Sequence, residues 1–68
     1  MKRSITIAGH RTSVSIEDPF WEALGEIAAA RGISVTAVIA EIDERRGSAN
    51  LSSAIRLHVL DWYRKRPG

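Results

Sequence analysis

The chain has 68 residues, no cysteine, two histidines and a formal net charge of +2. This length allows one domain, over residues 1–68, with a small core. The lack of cysteine excludes disulfides and thiolate metal sites, and His10 and His58 stand far apart without the partners that a zinc site requires. We therefore expect no metal, no cofactor, and stabilisation by oligomerisation.

The charge is distributed unevenly along the chain. Residues 1–16 contain three basic residues and no acid, residues 17–44 contain seven acids and one arginine, and residues 45–68 are again basic. The apolar run near the N-terminus is too short for a secretory signal or a membrane span. These features predict a cytoplasmic protein of bacterial type with no membrane partner.

Residues 1–10 begin with an alternating run in which Ile5 and Ile7 are the apolar members. This segment is expected to form a basic arm or a short extra strand, and its Lys2 and Arg3 are suited to DNA phosphates. In one continuous strand its apolar residues would face away from those of the next segment, so a bulge or turn is expected near Gly9.

Residues 11–16 have the clearest strand pattern. Apolar or half-apolar residues alternate with the small, polar or basic residues Arg11, Ser13 and Ser15, as in a strand buried on one face. No later segment complements this strand, so the expected partner is the same strand of a second copy, related by a two-fold axis. Such a two-stranded ribbon fits the major groove of DNA.

Three helices are predicted after the strand. The first covers residues 19–31, with Asp18 as the N-cap before Pro19 and with Gly32 ending the helix. The second covers residues 34–46 and begins at Ser34. The third covers residues 51–65, and its broad apolar face predicts burial against more than one element.

Residues 11–47 have the predicted order strand, helix, short connector with a glycine and a Ser cap, and second helix. This order resembles the ribbon-helix-helix DNA-binding family of Arc, MetJ and CopG. A second resemblance, to a bacterial subfamily of ribbon-helix-helix domain proteins, extends over nearly the whole chain and is carried by the runs Ala-Gly-His-Arg-Thr-Ser-Val-Ser-Ile-Glu, Ala-Ala-Ala-Arg-Gly-Ile-Ser and Asn-Leu-Ser-Ser-Ala-Ile-Arg. The resemblance implies a mainly α fold, an intermolecular antiparallel ribbon and an intertwined homodimer, with a third helix added.

The resemblance also implies roles for particular residues. Base edges would be read by Arg11, Ser13 and Ser15, and a phosphate would be bound by the helix start at Ser34, Val35 and Thr36. The dimer core would consist of six apolar residues: Val14, Ile16, Phe20, Leu24, Val38 and Ile42.

The expected function is a homodimeric protein that binds double-stranded DNA, most simply a transcriptional repressor. Whether dimers assemble side by side on DNA is left open. The alternative is a protein-interaction module, either an antitoxin-type dimerisation domain or a third helix that docks a partner protein. An enzyme is not expected, because these residues provide no combination of nucleophile, base and orienting group.

Overall fold

The computed structural model describes residues 2–7 and 9–65, with the side chain of Lys2 left out. Two strands, β1 (Lys2–Ile7) and β2 (His10–Ser15), are followed by three helices: α1 (Asp18–Arg31), α2 (Val35–Arg45) and α3 (Leu51–Lys65). The ribbon-helix-helix fold that the sequence predicts is confirmed, as a two-stranded antiparallel ribbon followed by a mainly helical body.

The two strands form a hairpin within one chain. They pair antiparallel, with Ile7 opposite His10 at the turn and Lys2 opposite Ser15 at the far end. Gly9 in the turn has φ 82°, a left-handed conformation that glycine adopts at little cost. The turn expected near Gly9 is therefore present, and residues 2–7 form the extra strand that was one of two expectations for this segment.

The prediction that the strand lacks a partner in its own chain is wrong. The apolar residues of β1 are odd-numbered and those of β2 are even-numbered, and this difference suggested opposite faces. Because the hairpin pairs odd positions with even ones, Ile5 lies opposite Thr12 and both strands bury the same face. Pairing of β2 with a second copy would therefore have to occur in addition to its pairing with β1.

Helix α1 begins one residue earlier than the sequence predicts. Its N-cap is Glu17, in an extended conformation, and Asp18 is the first helical residue, so the assignment of Asp18 as N-cap is wrong. Pro19 is tolerated in the first turn because the amides there have no intrahelical acceptor. At the other end Gly32 is left-handed at φ 69°, and its N–H donates to the Ala29 carbonyl at 3.2 Å.

Side-chain caps begin the other two helices. Ser34 Oγ accepts from the N–H of Ala37 at 3.1 Å, and Asn50 Oδ1 accepts from the N–H of Ser53 at 3.2 Å. Each bond satisfies one amide of a first helical turn. Arg31 of α1 and Glu41 of α2 form an ion pair at 2.9 Å that ties these two helices together.

The core lies between the inner face of the hairpin and all three helices. Helix α3 contributes Ile55, which is fully buried, and Val59. The buried apolar residues are Ile7, Val14, Ile16, Leu24, Ile27, Ala28, Val38, Ile39, Ile42, Ile55 and Val59. One chain therefore encloses a core of its own, with α3 as an integral part of it.

The other apolar side of α3 is not covered. Leu57 is 65% exposed, Leu60 51% and Tyr63 37%. The expectation that the whole broad face of α3 is buried against several elements does not hold within a single chain.

Within the described ranges, no single helix has the length and hydropathy of a membrane span. Helices α1 and α2 have that length and hydropathy only when they are counted together, and the two are bent by 100° relative to each other.

Candidate nucleic-acid interface

The outer face of the hairpin is polar, basic and exposed to solvent. The β2 residues predicted to read bases, Arg11, Ser13 and Ser15, all lie on this face and are exposed. The hairpin register adds Thr6 opposite Arg11 and Ser4 opposite Ser13, and both added residues are also exposed. The outer face thus consists of two strands of one chain.

The strands hold these outward pairs close together. Both backbone groups of Ser15 bond to α3, so Ser15 and its opposite residue Lys2 form a pair without mutual hydrogen bonds. Along an antiparallel ladder, hydrogen-bonded pairs alternate with pairs that have no mutual hydrogen bonds. The pairs of Ser13 with Ser4 and of Arg11 with Thr6 therefore also lack mutual hydrogen bonds. Their Cα atoms are about 4.5 Å apart, the closer of the two spacings in such a ladder.

Helix α3 grips the end of β2. Ser52 Oγ accepts from the Ser15 N–H at 3.3 Å, while the Arg56 guanidinium donates to the Ser15 carbonyl at 3.2 Å and to Glu17 Oε1 at 3.0 Å. We call these contacts of Ser52 and Arg56 with Ser15 and Glu17 the α3 clasp. The clasp joins the ribbon to the helical body through backbone and side-chain groups together.

The clasp also changes the electrostatics beside the ribbon. A hydrogen bond from its own backbone, and then the bond from Arg56, lower the pKa of Glu17 below its ordinary value. The carboxylate nearest the end of β2 is thus charged and already paired with a cation. Arg11, by contrast, has no carboxylate partner among the described residues.

Lys2 and Arg3 are the two residues of the N-terminal segment that were predicted to contact phosphate. Arg3 lies opposite Val14, on the inner side of the hairpin, and its guanidinium carbon is 4.9 Å from the centre of the Trp21 ring. This distance is within the range of a cation–π contact. The backbone of Lys2 belongs to β1, but its side chain lies outside the described part of the chain.

The predicted phosphate site at the start of α2 is a well-formed helix N-terminus. Ser34 and Thr36 are exposed and Val35 is half-buried. The hairpin turn is near the other end of this helix, because Ile7 and His10 border one cleft with Asp43 and Arg46. Since α2 has 11 residues and is about 16 Å long, the Ser34 turn is not beside the hairpin turn of the same chain.

The six residues predicted for a dimer core are found mostly inside one chain. Five of them are buried: Val14, Ile16, Leu24, Val38 and Ile42. The sixth, Phe20, is half-buried and packs against the core. A core shared between two copies thus stays a prediction.

His58 lies on α3, and its Nε2 is buried without a hydrogen-bond partner among the described residues. Burial, and then the charge of Arg31, lower the pKa of His58 below its ordinary value. The neutral imidazole is therefore favoured in the fold. No group of three or more residues suited to a metal ion occurs in the described ranges.

Sequence reasoning missed Ser4, Thr6 and the two α3 residues of the clasp. The alternation of Ser4 and Thr6 with Ile5 and Ile7 was a usable signal, because a two-residue turn at Gly9 places both polar residues on the outer face. Nothing local in the sequence indicates that Ser52 and Arg56 meet β2.

No curated protein and no solved structure matches this chain significantly. One family model matches residues 1–63, nearly the whole chain, and it is described as a ribbon-helix-helix domain. Its extent includes β1 and most of α3, in addition to the strand and two helices that give the fold its name. The chain therefore belongs to the ribbon-helix-helix domain family, a family of DNA-binding regulators.

Proposed function

We propose that this protein binds double-stranded DNA as a homodimer and acts as a transcriptional repressor in the cytoplasm. The observation that carries the proposal is the outer face of the hairpin, where exposed hydroxyls surround Arg11, while Ile7 and Val14 of the opposite face are buried in the core. A two-stranded ribbon is one of the two elements that the major groove admits. The repressor would act by occluding a promoter.

The side chains of this face suggest a division of work. Arg11 is long enough to bind guanine O6 and N7 through two hydrogen bonds, the commonest specific contact in the major groove. Ser13 and Ser15 have short hydroxyl groups that accept or donate and so tolerate several bases. Arg11 is therefore the main source of sequence preference in this proposal.

Phosphate contacts would position the ribbon. The amides of the turn at Ser34, Val35 and Thr36 have no intrahelical acceptors and suit an anion. Lys2 and Arg3 add charge at the N-terminus. Lys2→Ala should lower the log–log salt slope of binding by about 0.9 for each phosphate that is no longer neutralised, whereas Arg3→Ala should have less effect because Arg3 is held on Trp21.

Salt-dependent binding tests the proposal directly. The purified protein is titrated into short random-sequence duplexes at several salt concentrations, and the logarithm of affinity should fall linearly with the logarithm of salt. Selection from a random pool should then enrich a two-fold symmetric site, as expected for a symmetric dimer. Absence of binding at low salt would refute the DNA-binding proposal.

A second candidate function is a protein-interaction module, such as an antitoxin-type dimerisation domain. It is favoured by the uncovered apolar residues of α3, Leu57, Leu60 and Tyr63. Exposed apolar patches of this kind are typical of protein contacts. Leu57→Glu combined with Leu60→Glu would abolish a partner contact on this face and leave duplex binding unchanged. Substitutions on the outer face of the hairpin would instead weaken duplex binding and leave the partner contact unchanged.

A further inference from the structure

The outer edge of β2 is open along part of its length and closed at one end. Ser15 directs both its N–H and its carbonyl at α3, where Ser52 and Arg56 bond them. Backbone groups in an antiparallel strand alternate in direction, so those of Arg11 and Ser13 point to the same edge. No strand lies on that edge among the described residues.

The open part of the edge borders a cleft. Arg11 and Thr12 line it together with Asp43, Arg46 and Leu51. No described strand occupies the edge beside Arg11 and Ser13, whereas the backbone groups of Ser15 are already bonded to α3.

The α3 clasp is held by more than its own hydrogen bonds. Ile55 lies one residue before Arg56 and is fully buried, and Val59 is buried one turn later. Moving α3 away from β2 would expose both side chains to water, which is unfavourable. The clasp is therefore a fixed boundary for any strand that joins this edge.

We propose that the α3 clasp sets the register in which two copies pair their β2 strands. This inference rests on the proposed homodimer. Arg11 of each copy pairs with Ser13 of the other, and the two-fold axis passes beside Thr12. This register forms two hydrogen-bonded residue pairs without using Ser15.

Neighbouring registers are less favourable. An axis at Ser13 would require Arg11 of one copy to bond Ser15 of the other, whose backbone groups the clasp occupies. An axis at Arg11 would place Ser13 opposite the turn residue Gly9, whose backbone at φ 82° is not extended. Each of these registers forms only one hydrogen-bonded pair inside the strands.

The register joins two hairpins into a sheet of four strands with the two β2 strands in the middle, and it sets the distance between the two Arg11 residues. With Thr12 at the axis, the Cα atoms of the two Arg11 residues are about 8 to 9 Å apart, from a rise of about 3.4 Å per residue and a strand spacing of about 5 Å. With Ser13 at the axis they would be about 14 to 15 Å apart by the same geometry. The clasp thus determines how far apart the two Arg11 residues of the dimer lie.

Single-cysteine variants test the register, because the natural chain has no cysteine. In the proposed register, two residues at position 12 form a pair with Cα atoms about 4.5 Å apart, which a disulfide spans. Two residues at position 13 would be about 8 to 9 Å apart, beyond the roughly 7 Å limit. Full-length Thr12→Cys and Ser13→Cys are oxidised and run on non-reducing gels, with Ala49→Cys in an exposed loop as the control for random collision.

Thr12→Cys is expected to form a covalent dimer, while Ser13→Cys stays at the level of the Ala49→Cys control. Adding Ser52→Ala and Arg56→Ala should shift the ratio towards Ser13→Cys by about fivefold for each hydrogen bond removed. Two results would overturn the proposed register while leaving the homodimer in place. One is cross-linking of Ser13→Cys without cross-linking of Thr12→Cys, and the other is a ratio of the two cross-linked products that does not change when the two clasp substitutions are added. Sedimentation of the unmodified protein as a monomer at concentrations that saturate DNA would overturn the homodimer and the register together.

Discussion

Replacing Arg11 separates base reading from general attraction to DNA. The residue is exposed on the outer face of the hairpin and forms no ion pair within the described part of the chain. Arg11→Ala should therefore change the free energy of unfolding by no more than about 0.5 kcal/mol, the range of an ordinary surface substitution. Any decrease in DNA binding can then be assigned to the interface.

The expected decrease follows from the chemistry of the contact. A bidentate arginine–guanine contact contributes about 1 to 3 kcal/mol. Removing it weakens binding to a selected duplex by about 5- to 150-fold per contact, since 1.4 kcal/mol corresponds to tenfold. A dimer makes two such contacts. Arg11→Lys keeps the charge but not the planar pair of donors, so it should lose most of this affinity on the selected duplex and little on a scrambled one.

Fluorescence anisotropy with selected and scrambled duplexes measures both effects at one salt concentration. Arg64→Ala is the matched control, because it removes the same charge from an exposed position on α3 with no ion pair in the described ranges. Equal decreases for Arg11→Ala on the two duplexes would show that Arg11 reads no base. Sequence preference would then have to come from DNA shape.

Three further predictions concern stability. Gly9→Ala should lower the free energy of unfolding by about 1 to 2 kcal/mol, measured by urea titration, because an L-residue is strained at φ 82°, although no atom beyond the two adjoining residues lies within 4 Å of the added Cβ. Ile55→Ala should cost about 2 to 5 kcal/mol in the same assay because Ile55 is fully buried, whereas Leu57→Ala on the exposed side should cost far less, and equal costs would contradict the packing of α3. His58 has a folded-state pKa below its ordinary 6.5, so the unfolded chain binds the proton first as pH falls and stability decreases below pH 6.5 towards the folded-state pKa. His58→Gln should flatten that part of the pH profile, and a profile that keeps its slope would assign it to another group.

The helices were predictable because their signals are local. Apolar residues at helical spacing and the caps at Ser34 and Gly32 depend on a few neighbouring residues, and each cap has the expected geometry. The N-cap of α1 was misassigned by one residue, because Glu17 occupies that position without a side-chain cap. Glu17 is bound by Arg56, 39 residues later in the chain, and no neighbouring residue indicates that bond.

Part of the candidate site was also predictable. The alternation over residues 11–16 placed Arg11, Ser13 and Ser15 on one outward face, and the structure places them there. The contribution of Ser4 and Thr6 was missed because it depends on which strand pairs with β2. The period-two pattern of each strand is the same whether its partner is in the same chain or in another, so this pattern alone does not select the partner.

The sequence by itself determined the number and type of the helices, the outward face of β2 and the family, because periodicity, caps and turn residues act over a few positions. Only the tertiary structure decided three things: that β1 and β2 pair within one chain, that α3 grips the end of β2 at Ser15, and that Leu57, Leu60 and Tyr63 stay uncovered. The second and third depend on where α3 packs against the hairpin and the other helices. That position is set by the shared burial of apolar side chains that are distant in sequence, which the pattern within any one segment does not specify.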